Sequence, residues 1–286
     1  MAMMTFKTLL HISKIHLKNF LLLTLLFIFA SCNNSATNNT DSNSNPNAIQ
    51  PPTTLNFDIV KTHPHDTSAY TEGLEWDGNH LIESTGNYKQ SKLRLLDSNM
   101  KDLVSPVKLD VAYFGEGTTL FNGKIYQLTW KEHKVFVYDA KTLKKTNELY
   151  WPYEGWGMTH DDTAIIINTG GSNIYYVDPN NFTVKKTLGV FNNYGYVSNI
   201  NELEYVNGKL YGNVYMTDNI IQIDPNTGRV IAVADLSNIL MKVGIKEDPK
   251  TKDPGNVLNG IAYHKTKGTF FITGKDWPVL IELKFK

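Results

Sequence analysis

Five short segments decide how this chain folds: TEGLEW (71–76), GEGTTL (115–120), GWGMTH (155–160), NELEY (201–205) and NGIAY (259–263). Each opens a strand-like run, and about 22 to 25 residues later each unit reaches another run that carries an acid, at Asp97, Asp139, Asp178, Asp224 and Glu282. A middle strand lies between them in HLIESTG, KIYQLTW, AIIINTG, KLYGNVY and TFFITGK. With Glu72, Glu116, Trp156, Asn201 and Asn259 taken as equivalent, the units are spaced by 44, 40, 45 and 58 residues. The long last interval holds the one helix-like stretch, DLSNILMKV (235–243), with Asp235 or Ser237 as its expected cap, and the loop KEDPKTKDPGN (246–256).

Units of about 40 to 50 residues built from three or four short strands are the signature of propeller blades. The expectation is therefore an all-β, five-bladed β-propeller. The last unit offers only three strands, so NFDIVKT (56–62) is predicted to supply its outer strand and close the ring. A β-sandwich of similar hairpins is the alternative, and it has no need of a common period.

In a propeller the first strand of each blade lines the central channel, so equivalent positions converge. The opening residues Glu72, Glu116, Trp156, Asn201 and Asn259, and the middle-strand ends Thr85, Trp130, Thr169, Tyr215 and Lys275, should surround one mouth. Such a mixture suits a small ligand with a cationic or amide-bearing head. Packing between blades is the bland reading of Trp130, Trp156 and Tyr215, whereas Glu116 between two glycines is hard to explain as packing.

The 286 residues balance 28 basic against 28 acidic side chains, so a broad electrostatic grip on nucleic acid has no source. One cysteine excludes an intramolecular disulfide framework and cysteine-rich metal sites. His63, His65 and Asp66 fall in an expected edge loop without further ligands, so no metal is assigned to them. His133, His160 and His264 fall at turns and are expected to be solvated. No phosphate-cradling loop or nucleophile elbow is present.

Residues 1–18 carry Lys7, Lys14 and Lys18 and no acid, and an apolar run from Phe20 to Ala30 follows. FASC (29–32) resembles the lipobox of bacterial lipoproteins, which implies a lipidated Cys32. The expected organisation is a signal peptide at 1–31, a polar tether at 32–54 and a folded body at 55–286, exported to the cell envelope and touching membrane through the lipid alone. An ordinary cleaved signal peptide is the alternative.

The runs YTEGL, ESTGNYKQSKLR, YFGEGTTL, YQLTW, EGWGMT, NELEYVNGKLYGNVY, VLNGIAY and TGKDWP extend in order from Tyr70 to Pro278. They resemble the glutaminyl-peptide cyclotransferases of the plant and bacterial type, which are five-bladed propellers. The resemblance implies conversion of N-terminal glutamine to pyroglutamate with release of ammonia, on peptides or proteins, without a cofactor; a monomer is expected. It matches Glu116, Trp130, Trp156, Asn201 and Lys275 to the family's active-site residues. Glu116, Asn201 and Lys275 are then the catalytic set, with Glu116 as base. Trp130, Trp156, Tyr215, Glu72, Phe114 and Asn259 are the substrate contacts. Glu72 replaces the glutamine usual in YTQG, Tyr215 replaces a tryptophan, and NTGGS (168–172) stands where SDGS is common. Two other functions fit the same residues: a non-catalytic propeller that binds peptides, and a lactonase-like hydrolase with a metal held by Glu72, Glu116, Asn201 and Asn259.

Overall fold

A computed structural model describes residues 48–286. The expected signal peptide, Cys32 and most of the tether lie outside the described residues.

Four-stranded antiparallel sheets follow one another in chain order as blades. Blade one is Thr71–Trp76, Leu81–Thr85, Lys92–Leu96 and Val107–Lys108; blade two is Gly115–Phe121, Lys124–Thr129, Lys134–Asp139 and Lys145–Tyr150. Blade three is Met158–His160, Ile165–Asn168, Asn173–Val177 and Val184–Gly189; blade four is Ile200–Val206, Lys209–Val214, Asn219–Ile223 and Val230–Asp235. Blade five takes Leu258–His264, Thr269–Gly274 and Val279–Phe285 from the end of the chain and Phe57–Pro64 from its start. Phe57 pairs with Phe285 and Pro64 with Val279, so the ring is closed as the repeat count predicted. A lone aromatic-bearing hairpin, Phe191–Asn192 with Gly195–Tyr196, links blades three and four.

Five apolar clusters hold the ring together, one between each pair of neighbouring blades. Strand alternation explains this: each middle strand presents large residues to both neighbours, as Leu81 does toward blade five and Ile82 toward blade two. Each such side chain contributes about 1.5–3 kcal/mol by leaving water. Around the axis the inner strands come together at Gly73, Gly117, Gly157 and Gly260. A Cβ on Gly73 would lie 2.5 Å from the Thr118 nitrogen, so only glycine permits this approach. The fifth equivalent residue is Glu202, which fills the axis and accepts hydrogen bonds from the backbone N–H of Leu74 (3.3 Å) and Ile261 (2.7 Å).

Several local expectations are corrected. Thr53–Thr54, placed in the tether, add a short parallel strand to the outer edge of blade four, and Leu55 N donates to Val233 O at 2.8 Å. An exposed sheet edge recruits backbone regardless of side-chain polarity, which composition does not register. The helix is only Ile239–Lys242, and its cap is Asn238 in the left-handed region (φ 62°) without a side-chain bond. Asp235 instead accepts from Ser237 N and closes a turn. His63 lies on the closing strand and meets Glu282 at 3.0 Å. His65 is buried between Glu83 and the Trp277 carbonyl, both at 2.8 Å. Burial alone would lower its pKa, but the Glu83 charge overrides this and raises it. His133, His160 and His264 are half-buried rather than solvated. His264 packs 4.7 Å from the Trp76 ring, and His160 lies 2.9 Å from the Thr119 hydroxyl.

Candidate active site

The inner strands begin, and the middle strands end, at one mouth of the channel. There a cavity of about 210 Å³ is lined by Tyr70, Glu72, Phe114, Glu116, Trp130, Trp156, Asn201, Tyr215 and Lys275. It is smaller than the ~300–1,000 Å³ of drug-sized sites, which suits a single amino-acid residue. A larger hollow of about 690 Å³ lies beside the 244–256 loop. Its charged side chains are exposed or half-exposed, so it lacks the desolvated acid and base that chemistry requires.

Glu116 is 5% exposed, and its carboxylate has no hydrogen-bond partner among the described residues. Its backbone is fixed, because the Ser84 hydroxyl donates to its carbonyl, Gln127 Nε2 donates to Ser84 (2.9 Å), and the Tyr138 hydroxyl donates to Gln127 (3.1 Å). Burial pushes the Glu116 carboxyl well above the ordinary range. The Glu72 charge, and further off Glu132 and Glu154, add to this, while Lys275 opposes it. Glu72 is also buried, and its Oε1 lies 2.6 Å from Lys275 Nζ. Burial raises its pKa and Lys275 pulls the other way. For Lys275 burial favours the neutral amine, but the Glu72 charge outweighs it, so the group is held as an ammonium. That ammonium lies over the rings of Tyr70 (4.6 Å) and Tyr215 (5.1 Å). Burial pushes the Tyr70 hydroxyl up to about 12, so it stays protonated.

Asn201 faces Glu72 through Nδ2 at 3.5 Å, and its buried Oδ1 has no partner among the described residues. A carboxylate only accepts, so the amide nitrogen belongs on that side and the oxygen is left for a ligand's donor. Asn259 does not line the cavity. It lies beneath Glu72, donating to Glu72 Oε2 (3.1 Å) and Thr71 O (2.9 Å).

The aromatic wall runs from Tyr70 to Phe114 to Trp130, with ring centroids 6.2 and 5.6 Å apart. Next to Trp130, Trp156 meets Tyr215 edge-on at 5.7 Å. Trp156 lies across Gly170 (φ 73°), where a Cβ would come within 2.5 Å of the indole. Thr85 and Thr169 do not line the cavity. Strand pairing shows why for Thr85: Thr71 pairs with Thr85 as Gly115 pairs with Thr129 and Leu258 with Gly274, so the true equivalent of Trp130 and Lys275 is Gly86. Glycine there leaves room for the Phe114 ring. Tyr70 was missed, although it stands two residues before Glu72 as Phe114 does before Glu116; carrying the repeat alignment two residues outward finds it.

Comparison with known proteins agrees with this geometry. A family profile described as glutamine cyclotransferase matches residues 25–285. A glutaminyl-peptide cyclotransferase of Arabidopsis thaliana is 36% identical over 235 residues, 80% of this chain and 71% of the plant protein. The crystal structure of Myxococcus xanthus glutaminyl cyclase matches with a TM-score of 0.73 at 31% identity, covering 82% of this chain and 98% of that one. A match that spans nearly the whole chain, on a five-bladed ring, establishes that this protein belongs to the glutamine cyclotransferase family.

Proposed function

We propose that the cavity cyclises the N-terminal glutamine of peptides and proteins to pyroglutamate, releasing ammonia, with Glu116 as the proton carrier. The observation that carries this assignment is the unbonded, buried carboxylate of Glu116 beside a fixed ammonium in an aromatic slot. A binding-only pocket gains nothing from leaving a buried acid unpartnered.

Nucleophile and electrophile belong to one substrate residue, so the protein has to select the folded-back rotamer, move a proton and stabilise an oxyanion. The α-amine has a reference pKa of about 7.7–8.0, and the upward shift of Glu116 narrows the gap between the two groups across which the proton passes. Neutral amine attacks the side-chain carboxamide carbon while Glu116 takes the proton released from nitrogen. The carbonyl oxygen becomes negative next to the Lys275 ammonium. Glu116 then returns its proton to the departing nitrogen, the C–N bond breaks, ammonia leaves and the lactam remains. Asn201 Oδ1 accepts from an N–H of the reacting amine. Glu72 keeps Lys275 charged and aimed. The aromatic rings exclude water and grip the side-chain methylenes.

Incubation of the purified protein with a glutaminyl dipeptide amide should release ammonia stoichiometrically with pyroglutamyl product. A peptide that binds without releasing ammonia would instead support the non-catalytic propeller. The metal-dependent reading is disfavoured because an ammonium already sits against Glu72, where it would repel a dication.

We also propose that Cys32 is lipidated and tethers the protein to the envelope, on the support of small residues ending an apolar run at the sole cysteine. Cys32→Ala should move the protein from the membrane to the soluble fraction; unchanged fractionation overturns the proposal.

A further inference from the structure

Glu154 stands two residues before the opening residue of blade three, the place that Tyr70 and Phe114 hold in blades one and two. Those two are walls of the cavity, whereas Glu154 gathers indoles. Its Oε2 accepts from Nε1 of Trp130 at 2.9 Å and from Nε1 of Trp156 at 3.3 Å. Its backbone carbonyl accepts from Nε1 of Trp151 at 3.2 Å. Three of the chain's five tryptophans therefore donate to one residue.

Trp151 is fully buried between blades two and three, which fixes Glu154 from below. Gly155 N donates to Trp130 O at 2.8 Å and ties the adjoining backbone to the turn that carries that indole. The second oxygen, Oε1, faces Lys131 Nζ at 4.0 Å, and the same ammonium sits 3.8 Å over the Trp130 ring. Trp130 and Trp156 belong to neighbouring blades and form adjoining parts of the wall. One shared acceptor atom limits how far apart their nitrogens can move.

We propose that Glu154 is a positioning residue of the cyclisation site, holding Trp130 and Trp156 at the separation that grips the glutaminyl side chain. The proposal rests on the cyclisation reading above. A role confined to folding does not account for the arrangement: the Glu154 side chain is 43% exposed, and both indoles it holds face the cavity. Its charge also adds to the field on Glu116, alongside Glu72 and Glu132 and against Lys275.

The test compares wild type, E154A and E154Q on a glutaminyl dipeptide amide, with near-UV circular dichroism of the tryptophans recorded without substrate. E154A should raise KM by about tenfold while kcat stays within about threefold, since wall contacts are made in ground and transition states alike. E154Q keeps an acceptor oxygen, so it should retain KM and the tryptophan spectrum. Its loss of charge should move the acid limb of kcat/KM to lower pH. Wild-type KM and spectrum in E154A would overturn the inference, as would an equal rise in KM in both variants. If E154A does not fold, E154Q decides: retained KM with a shifted acid limb supports the role, and a raised KM removes it. The spectra need no turnover, so a wild type that released no ammonia would break the cyclisation reading and leave the indole clamp separately measurable.

Discussion

Two layers of carboxylates share the channel, and only one is open. At the mouth stand Glu72 and Glu116; one layer down stand Glu75, Glu202 and Glu204, all 6% exposed or less. Both layers carry raised pKa values. Burial pushes Glu202 well up, with Glu204 adding to it, and burial followed by the Glu75 charge does the same to Glu204. An upward shift therefore does not mark the catalytic acid. The difference lies in the lone pairs. Glu202 accepts from Leu74 N and Ile261 N, Glu204 from Tyr263 N at 2.8 Å, and Glu75 from Thr119 Oγ1 (2.6 Å) and Leu120 N (3.1 Å). These three pin inner strands together. The Glu116 carboxylate bonds nothing among the described residues, and a cavity opens onto it.

The sharpest way to break this contrast is Glu116→Gln. Turnover of Gln-peptides should fall by about 10²–10⁴, the usual contribution of a proton carrier, with the thermal midpoint retained. Near-normal turnover would make the mouth layer as structural as the lower one. Lys275→Ala should cost about 10² in kcat through loss of the oxyanion partner; an unchanged kcat would confine the lysine to pairing with Glu72. Glu202→Gln should do the reverse. Activity should stay within about twofold, while stability falls by about 1–3 kcal/mol as one backbone N–H loses its acceptor. A selective loss of turnover there would erase the distinction between the layers.

The smallest effect concerns pH. With Glu116 as the proposed base, kcat/KM should drop as pH falls through its pKa, and that limb should lie above the range of an ordinary glutamate. Glu72→Gln removes a like charge and frees Lys275 to act on Glu116. Both changes lower the Glu116 pKa, so the acid limb should move to lower pH; a limb that stays in place would mean that burial alone sets it. A chelator such as EDTA should leave the rate unchanged, and inhibition reversed by zinc would count against the mechanism.

The blades were legible because a propeller writes its geometry as a period: equivalent residues 40 to 58 positions apart meet on one axis. Glu116, Trp130, Trp156, Asn201, Tyr215 and Lys275 were found that way. Thr85 was displaced by one residue, and in a pleated strand one residue changes the facing side. Asn259 sits at the right level, but a carboxylate lies between it and the cavity, which repeat alignment cannot see. The clamp at Glu154 was hidden for a different reason. It joins side chains of separate blades through a hydrogen bond, and no spacing rule relates an acid to two indoles 24 and 2 residues away. The donor and acceptor ends of Asn201 likewise depend on the neighbouring Glu72.

The pairing of Phe57–Pro64 with Val279–Phe285 joins the earliest described full-length strand to the final one. During synthesis the early strand must therefore wait, unpartnered, until residues 279–285 have left the ribosome. Shortening the C-terminus by even one strand would leave an unfinished circle with two sticky rims, so a premature stop near residue 278 should yield aggregate in place of a weakened enzyme.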